Sequence, residues 1–250
     1  MSGQTYFITG ANRGIGFEIT KYLLASNPDH KIIATARDAS KATALKALSK
    51  NVIVFPLDLG DQKTIDAIPS ELEKINIDTI DVFISNAGIS DSYYTVLECS
   101  KETWLEHYEI NALAPILIFQ QVYKALSKSS IKKAIFVSSG IGSLTRYIPS
   151  PVSAYAQSKA ALNFSVIELS AELKSEGFTI AAISPGVVST DMGAYAQTKF
   201  NVKLPEFAPI LSSLTITPEE SGTAVGKVAE TLSEEDHGKF LNYDHTVIPY

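Results

Sequence analysis

The sequence predicts an α/β fold in which a mainly seven-stranded parallel sheet is covered by helices on both faces. Short apolar runs rich in β-branched residues alternate with amphipathic stretches along the chain, as in successive strand–helix units. Each run is continuously apolar rather than alternating, which is typical of strands buried on both faces. Of the 250 residues, 45% are hydrophobic and 19% are charged, which suits a folded chain with a buried core rather than a disordered one.

Seven runs are predicted to be strands, and the intervals between them are long enough for helices. The start of one helix is marked by Thr217-Pro218-Glu219-Glu220, which supplies an N-cap threonine, a proline at the first helical position and a glutamate for a capping box. In chain order the predicted strands are Thr5 to Thr9, Lys31 to Thr35, Val52 to Phe55, Asp81 to Ser85, Lys133 to Ser138, Thr179 to Ser184 and Lys239 to Leu241.

Two stretches lack a regular pattern because proline, glycine and serine interrupt them. They run from Gly140 to Val152 and from Gly193 to Leu214, and both are predicted to be irregular loops. Long irregular loops in compact domains are usually functional. Because no repeat or low-complexity linker divides the sequence, we expect a single domain over residues 1–250 with a substrate loop at about residues 190–214.

Composition and charge exclude several classes of function. A net charge of -6 argues against nucleic acid as a partner. Cys99 is the only cysteine, so an intrachain disulfide and a cysteine zinc cluster are excluded, and the four histidines show no metal-ligand spacing. The amino terminus lacks a basic region followed by an apolar run, and no stretch approaches the ~18 apolar residues of a membrane span. We therefore expect a cytoplasmic protein without a metal site or membrane partner.

A glycine-rich loop follows the first predicted strand and opens a helix. Thr9-Gly10-Ala11-Asn12-Arg13-Gly14-Ile15-Gly16 places three glycines where a chain must turn tightly and approach a pyrophosphate group. The amides and dipole of the following helix would meet the phosphate charge. The spacing is Gly-x-x-x-Gly-x-Gly rather than Gly-x-Gly-x-x-Gly, and a glycine turn without a ligand remains an alternative for this loop alone.

The end of the second strand indicates the form of the dinucleotide. NAD enzymes of this architecture place an acid there to hold the ribose 2′-hydroxyl, but this sequence has Ala36 followed by Arg37. A guanidinium group can bind a 2′-phosphate, and Arg13 could add a second cation. We therefore predict NADP(H) over NAD(H). Asp38 could weaken this preference by pairing with Arg37, or it could cap the next helix.

Two further pairs of residues point to chemistry. Tyr155 and Lys159 are four residues apart in a predicted helix and therefore lie on one face, where an ammonium group can act on a phenol. Asn111 precedes Pro115 by four residues, and proline lacks the amide that would bond to the Asn111 carbonyl. The sequence therefore predicts a bent helix with a free carbonyl at Asn111.

Taken together, these motifs resemble those of the short-chain dehydrogenase/reductase family. The resemblance covers nearly the whole chain through the glycine loop, Asn86-Ala87-Gly88, Asn111, Ser138-Ser139, Tyr155 to Lys159 and Pro185-Gly186. It implies a Rossmann-type three-layer α/β/α sandwich that binds a nicotinamide cofactor. The cofactor-binding residues that it implies are Gly10, Asn12, Arg13, Gly14, Ile15, Gly16, Arg37, Asp58, Leu59, Asn86, Ala87, Gly88, Tyr155, Lys159, Pro185, Gly186, Val188 and Thr190.

The resemblance also implies a catalytic set of Asn111, Ser139, Tyr155 and Lys159. Tyr155 would donate a proton to the carbonyl oxygen, and the positive charge of Lys159 would lower the pKa of the phenol. Asn111 would hold a water molecule in a proton relay. The serine usually lies thirteen residues before the tyrosine, where this chain has Gly142. Alignment on the strand end selects Ser139 instead, with Ser138 and Ser143 as alternatives.

The extended loop and the ending Gly238 to Tyr250 resemble the carbonyl reductase branch that contains sniffer and norsolorinic acid ketoreductase-like proteins. The expected function is NADPH-dependent reduction of a ketone or aldehyde. Alternatives are an NAD-dependent secondary alcohol dehydrogenase and a catalytically silent dinucleotide sensor. Relatives form homo-oligomers in some cases, so self-association is possible here. The side chains of Tyr147, Ile148, Met192, Tyr195 and Phe200 suggest an apolar pocket for an aromatic or bulky substrate.

Overall fold

The main sheet of the computed structural model contains eight strands, in the spatial order β3-β2-β1-β4-β5-β6-β9-β10. The structure describes residues 2–195, 198, 205 and 208–250. The predicted α/β architecture, a large and mostly parallel sheet flanked by helices, is confirmed. The strands are β1 (Thr5–Ile8), β2 (Lys31–Ala36), β3 (Val52–Pro56), β4 (Val82–Ser85), β5 (Lys133–Val137), β6 (Thr179–Ser184), β7 (Val187–Val188), β8 (Thr215–Ile216), β9 (Phe240–Asn242) and β10 (Val247–Ile248).

The predicted count of seven strands in the sheet is wrong by one. The additional strand, β10, pairs antiparallel with β9 at the edge of the sheet. It contains two residues, too short a run for a pattern of apolar residues to reveal. A separate parallel pair, β7 with β8, joins the chain after β6 to the residues before the last long helix. Each of these short strands forms because it pairs with a neighbouring strand, and none has a pattern of apolar residues that would predict it.

Helices connect the strands, as predicted. The Thr217 side chain accepts a hydrogen bond from the Glu220 amide and the Glu220 carboxylate accepts one from the Thr217 amide, so the predicted capping box is present. The α-helices are α1 (Gly14–Ser26), α2 (Thr43–Lys46), α3 (Gln62–Asp66), α4 (Ile68–Lys74), α5 (Lys101–Tyr108), α6 (Ala114–Ser127), α7 (Ser153–Leu173), α8 (Ala208–Leu214) and α9 (Pro218–Thr231).

The two stretches predicted to be irregular are partly ordered into short helices. Gly140–Gly142 form a 3-10 turn, and α8 occupies the last seven residues of the second stretch. Residues 193–195 are helical as well. The prediction of a continuous loop from Gly193 to Leu214 is therefore wrong at both ends. Helices this short carry too few apolar positions to show a helical period.

The core lies in two layers, one on each face of the sheet. Successive residues of a strand point to opposite faces, so Phe7 packs into one layer while Tyr6 and Ile8 pack into the other. The first layer includes Phe83 and Phe119, whose ring centroids are 5.9 Å apart. Because every central strand is covered on both faces, continuous apolar runs were the correct signal for strands.

The sheet order places a crevice at the carboxyl ends of β1 and β4. β1 pairs with β2 on one side and with β4 on the other, so the chain reverses its direction of progress across the sheet at this point. In open α/β sheets, ligands bind in the crevice outside the strand ends at such a switch point. Among the residues that the structure describes, no helix is long and apolar enough to cross a membrane.

Candidate active site

A cleft of about 790 Å³ opens at the switch point, which is within the usual size range of small-molecule sites. Gly10 and Gly14, on the loop between β1 and α1, have φ angles of 65° and 56°, which favour glycine. No side chain caps α1 and its first turn contains no acidic residue. The backbone there can therefore accept an anionic group such as a pyrophosphate. Fifteen predicted site residues line the cleft: Gly10, Asn12, Arg13, Gly14, Ile15, Arg37, Asp58, Leu59, Asn86, Ala87, Gly88, Tyr155, Lys159, Pro185 and Thr190.

The third glycine of the loop supports packing rather than the cleft wall. A Cβ atom on Gly16 would lie 2.5 Å from the Asn86 Nδ2 atom. That nitrogen donates to the carbonyl oxygens of Thr9 and Gly10, at 2.9 and 3.1 Å. The Thr9 hydroxyl accepts hydrogen bonds from the amides of Asn86 and Ala87. Thr9 and Asn86 thus join the end of β1 to the end of β4 directly beneath the cleft.

Three cationic side chains line the cleft wall near β2 and the glycine loop: Arg13, Arg37 and Lys41. Asp38 does not neutralise Arg37, because its carboxylate accepts hydrogen bonds from Ser40 and forms an ion pair with Lys41 at 3.1 Å. The bond from the Ser40 hydroxyl, followed by the contact with Lys41, lowers the pKa of Asp38 to about 2. Asp38 therefore takes neither of the roles considered for it, which were pairing with Arg37 and capping the next helix. Arg37 lines the cleft.

Tyr155 and Lys159 lie on α7 where it borders the cleft, as the four-residue spacing predicts. The Lys159 Nζ atom is 6.0 Å from the centroid of the Tyr155 ring and donates to the Val137 carbonyl oxygen at 2.9 Å. Burial lowers the pKa of Lys159 to about 8. Burial raises the pKa of Tyr155, while a hydrogen bond with the Ser139 side chain opposes that rise. The lowered phenol pKa expected from Lys159 is therefore not found in the protein itself, because burial has the larger effect.

The three candidate serines have different surroundings. Ser138 lines the cleft, but its buried hydroxyl donates to the Asn163 Oδ1 atom at 2.6 Å. Ser143 donates to the Pro249 carbonyl oxygen at 2.5 Å. Ser139 does not line the cleft, but it is the one of the three whose side chain opposes the rise in the pKa of Tyr155. A Cβ atom on Gly142 would lie 2.8 Å from the Lys159 backbone, so the position thirteen residues before the tyrosine is too crowded for a serine.

Asn111 lies in a π-helical segment, Glu109–Leu113, between α5 and α6. The Ala114 amide bonds to the Glu109 carbonyl, so the helix ladder is irregular directly before Pro115, in the region where a disturbance was predicted. The buried Asn111 side chain donates to the Ile89 carbonyl and accepts from the Ile89 amide. It also donates to the Ser158 hydroxyl, so it fixes the chain after β4 against α7.

The segment after β6 closes one side of the cleft. Pro185 and Thr190 line it, whereas Gly186 and Val188 lie outside its wall. Gly186 has a φ angle of 88°, and a Cβ atom there would lie 3.0 Å from the Tyr243 ring. Beyond Thr190, the Asp191 carboxylate pairs with Arg13 of the glycine loop at 3.0 Å. This contact joins the two sides of the cleft, and both side chains are exposed.

The predicted apolar pocket is found only in part. Met192 lines the cleft, and Tyr195 packs against Tyr93. Tyr147 and Ile148 are 75% and 51% exposed and do not line the cleft. Phe200 lies outside the described residues.

Sequence reasoning did not assign a site role to three residues: Thr9, Lys41 and Ser158. Lys41 could have been found, because it follows Arg37 in the same short polar stretch. The roles of Thr9 and Ser158 depend on contacts with residues distant in sequence, although Thr9 begins the glycine-rich motif. Within the described ranges, no cluster of three histidine, cysteine, aspartate or glutamate side chains could hold a metal ion.

Comparison with known proteins identifies the family. The short chain dehydrogenase family model matches residues 4–200. The chain belongs to the short-chain dehydrogenase/reductase family. An uncharacterised oxidoreductase of Schizosaccharomyces pombe is 42% identical over 252 residues, covering 100% of this chain and 99% of that protein. The chain is therefore an oxidoreductase of this family, whose members use nicotinamide cofactors, and the predicted membership is confirmed.

Two further relatives carry names that describe an activity. Norsolorinic acid ketoreductase of Dothistroma septosporum is 30% identical over 251 residues, covering 96% of this chain and 90% of that protein. The crystal structure of NADPH-bound carbonyl reductase from chicken fatty liver superimposes with a TM-score of 0.86 at 31% identity, over 100% of both chains. The short-chain dehydrogenase/reductase thus has carbonyl reductases among its structural neighbours.

Proposed function

We propose that the protein is an NADPH-dependent carbonyl reductase that transfers a hydride to a ketone or aldehyde, with Tyr155 as the proton donor. One observation carries this proposal: Tyr155 and Lys159 border the same cleft as the glycine loop. A proton donor and a dinucleotide-binding loop that share one cleft can act on one carbonyl group. Similarity to the chicken carbonyl reductase and to norsolorinic acid ketoreductase supports the proposal.

Tyr155 acts as the acid in this mechanism. When bound, the reduced nicotinamide supplies a hydride to the carbonyl carbon. Negative charge then develops on the oxygen, and Tyr155 gives its proton to that atom. Because burial raises the pKa of Tyr155, the phenol holds its proton at neutral pH, which is the form that reduction requires. Ser139 donates a hydrogen bond to the same oxygen.

Lys159 and Asn111 support the proton transfer. With a pKa of about 8, the Lys159 ammonium is still largely protonated at neutral pH, and its charge stabilises the phenolate left after transfer. Asn111 fixes Ile89 and Ser158 around the site and, by resemblance to the family, serves the relay that returns a proton to Tyr155.

Arg37, Lys41 and Arg13 are proposed to hold the 2′-phosphate of NADP(H). All three line the cleft. Lys41 pairs with Asp38 and Arg13 pairs with Asp191, while Asp38 is turned toward Lys41 and Ser40 rather than Arg37. A phosphate carrying two negative charges gains charge-assisted hydrogen bonds there, whereas the 2′-hydroxyl of NAD(H) gains less. The remaining cofactor contacts are proposed for the predicted residues that line the cleft, and their fit to a dinucleotide rests on the glycine cradle and the uncapped start of α1.

The test follows the loss of NADPH absorbance with a panel of aromatic ketones, diketones and quinones. Tyr155→Phe should reduce turnover by roughly 100- to 10,000-fold while leaving NADPH binding unchanged, and Tyr147→Phe, which alters an exposed tyrosine, serves as the matched control. Undiminished turnover in Tyr155→Phe would contradict the assigned role. Tight binding without turnover of any carbonyl would support the alternative of a dinucleotide sensor.

The cofactor preference is tested with Arg37→Asp. Loss of the charged contact should weaken NADPH relative to NADH by roughly 10- to 100-fold in kcat/KM. Lys128→Asp is the matched control, because it makes the same change of charge at an exposed ion pair at the carboxyl end of α6. It should leave the ratio of kcat/KM for NADPH to that for NADH unchanged. An unchanged ratio in Arg37→Asp would contradict the role assigned to Arg37, and a preference of the unchanged protein for NAD(H) would favour the alternative, an NAD-dependent secondary alcohol dehydrogenase.

A further inference from the structure

An ion pair joins the glycine loop to the segment that closes the cleft. The Arg13 Nη1 atom lies 3.0 Å from the Asp191 Oδ2 atom, and both residues line the cleft. The two side chains are 67% and 84% exposed. The pair therefore lies on the solvent side of the cleft, where an entering ligand can reach it.

The backbone around Asp191 packs directly against the glycine loop. The Thr190 hydroxyl accepts a hydrogen bond from the Gly193 amide at 3.1 Å, which fixes the turn that contains Asp191. A Cβ atom on Gly14 would lie 3.3 Å from the Thr190 Cγ2 atom. Close packing of the two segments thus places the Asp191 carboxylate within reach of the loop, so that its position does not depend on the ion pair alone.

Arg13 and Arg37 extend from adjoining segments. The Ala11 amide donates to the Thr35 carbonyl at 3.0 Å, which joins the start of the glycine loop to β2. Arg13 lies two residues beyond Ala11, and Arg37 lies two residues beyond Thr35. Within the part of the chain that the structure describes, Arg37 makes no ion pair, whereas Arg13 already has a carboxylate as its partner.

We propose that Asp191 is a specificity residue that lowers the affinity for NADP(H), because its carboxylate competes with the 2′-phosphate for Arg13. This inference rests on the proposed function, which assigns Arg13 to that phosphate. Arg13 must leave Asp191 to bind the phosphate, whereas the uncharged 2′-hydroxyl of NADH leaves the ion pair in place. An exposed ion pair changes an equilibrium constant by roughly 1.5- to 5-fold, so Asp191 weakens NADPH binding by about that factor without preventing it.

The experiment measures the dissociation constants of NADPH and NADH by calorimetry for the unchanged protein, Asp191→Asn, Arg13→Met and the double variant. Asp191→Asn should bind NADPH more tightly by roughly 1.5- to 5-fold at low ionic strength, and its affinity for NADH should not change. Added salt should reduce the gain, because both side chains are exposed. In the Arg13→Met background, Asp191→Asn should bring no gain.

Asp78→Asn is the matched control. Asp78 is 83% exposed and pairs with Lys128 at 3.5 Å, and neither residue lines the cleft. The substitution removes the same charge from a similar ion pair, so the dissociation constants of both cofactors should stay unchanged.

Each other result would overturn the competition. Weaker NADPH binding by Asp191→Asn would mean that the ion pair retains the cofactor. Equal gains for NADPH and NADH, or the same gain without Arg13, would indicate a general effect of charge, and an unchanged NADPH affinity would leave Asp191 without a role. Binding is measured without a carbonyl substrate, so a protein that binds NADPH but reduces no carbonyl would contradict the proposed function alone. Failure to bind NADPH would contradict both.

Discussion

Ser138→Ala and Ser139→Ala should separate a structural serine from a catalytic one, although the two residues are adjacent. Ser138 donates to the Asn163 Oδ1 atom at 2.6 Å in a buried site. Its removal leaves a buried acceptor without its donor, which costs about 1–3 kcal/mol of the free energy of unfolding. For a chain of this size, each kcal/mol lowers the Tm by about 2–4 °C. The kcat/KM value should change by less than about 10-fold.

Ser139→Ala should have the opposite effects. Its side chain is partly exposed, so the free energy of unfolding should change by less than about 0.5 kcal/mol. Loss of a hydrogen bond to the developing oxyanion should reduce kcat/KM by about 100- to 1,000-fold. The Ser139 bond also opposes the rise in the pKa of Tyr155, so the variant should move the basic limb of the pH profile to higher pH.

Urea unfolding followed by circular dichroism gives the free energies, and ketone reduction with NADPH gives the rates and pH profiles. The two variants are controls for each other because they remove the same atom from adjacent residues. A catalytic loss in Ser138→Ala together with full activity in Ser139→Ala would refute the assignment of Ser139.

Three further outcomes are expected. Lys159→Met removes a charge that is disfavoured in the folded state, because burial lowers the Lys159 pKa to about 8 from 10.5; this should stabilise the protein at pH 7 by about 3 kcal/mol, less about 1–3 kcal/mol for the Val137 carbonyl that loses its donor. The unfolded chain binds the extra proton between pH 8 and 10.5, so this advantage should decrease over that range in paired urea titrations; a constant difference would contradict it. Gly16→Ala should cost about 1–3 kcal/mol, because its Cβ would press on Asn86, and should weaken NADPH binding; Gly177→Ala, at an open turn, should leave binding unchanged. If the protein self-associates, as some family members do, Phe164→Glu at an exposed apolar side chain of α7 should lower the mass measured by sedimentation, and a monomeric unchanged protein would contradict that expectation.

The sequence predicted the features that depend on local pattern. Continuous apolar runs located the central strands within one or two residues, since burial on both faces removes any alternation. Thr217 and Glu220 predicted a helix start that is present, because both bonds of a capping box lie within four residues. The spacing of Tyr155 and Lys159 sufficed to place them on one helix beside the cleft.

Features that depend on distant contacts could not be predicted in this way. β10 forms because Val247 and Ile248 meet the edge of β9, which no local pattern reveals. The pairing of Ser138 with Asn163 separates it from Ser139 and joins positions 25 residues apart. The balance of burial and charge at Tyr155 follows from three-dimensional packing, so the direction of its pKa shift differed from the expectation.

The Thr9 hydroxyl has a consequence for how this protein can change during evolution. It accepts hydrogen bonds from the amides of Asn86 and Ala87 and so holds the carboxyl ends of β1 and β4 at a constant separation. Arg37 lies on the far side of that junction from Tyr155, at the end of β2. Under the proposed function, substitutions around Arg37 would therefore alter which dinucleotide is accepted without disturbing the proposed proton donor, so that selection could adjust the two properties independently.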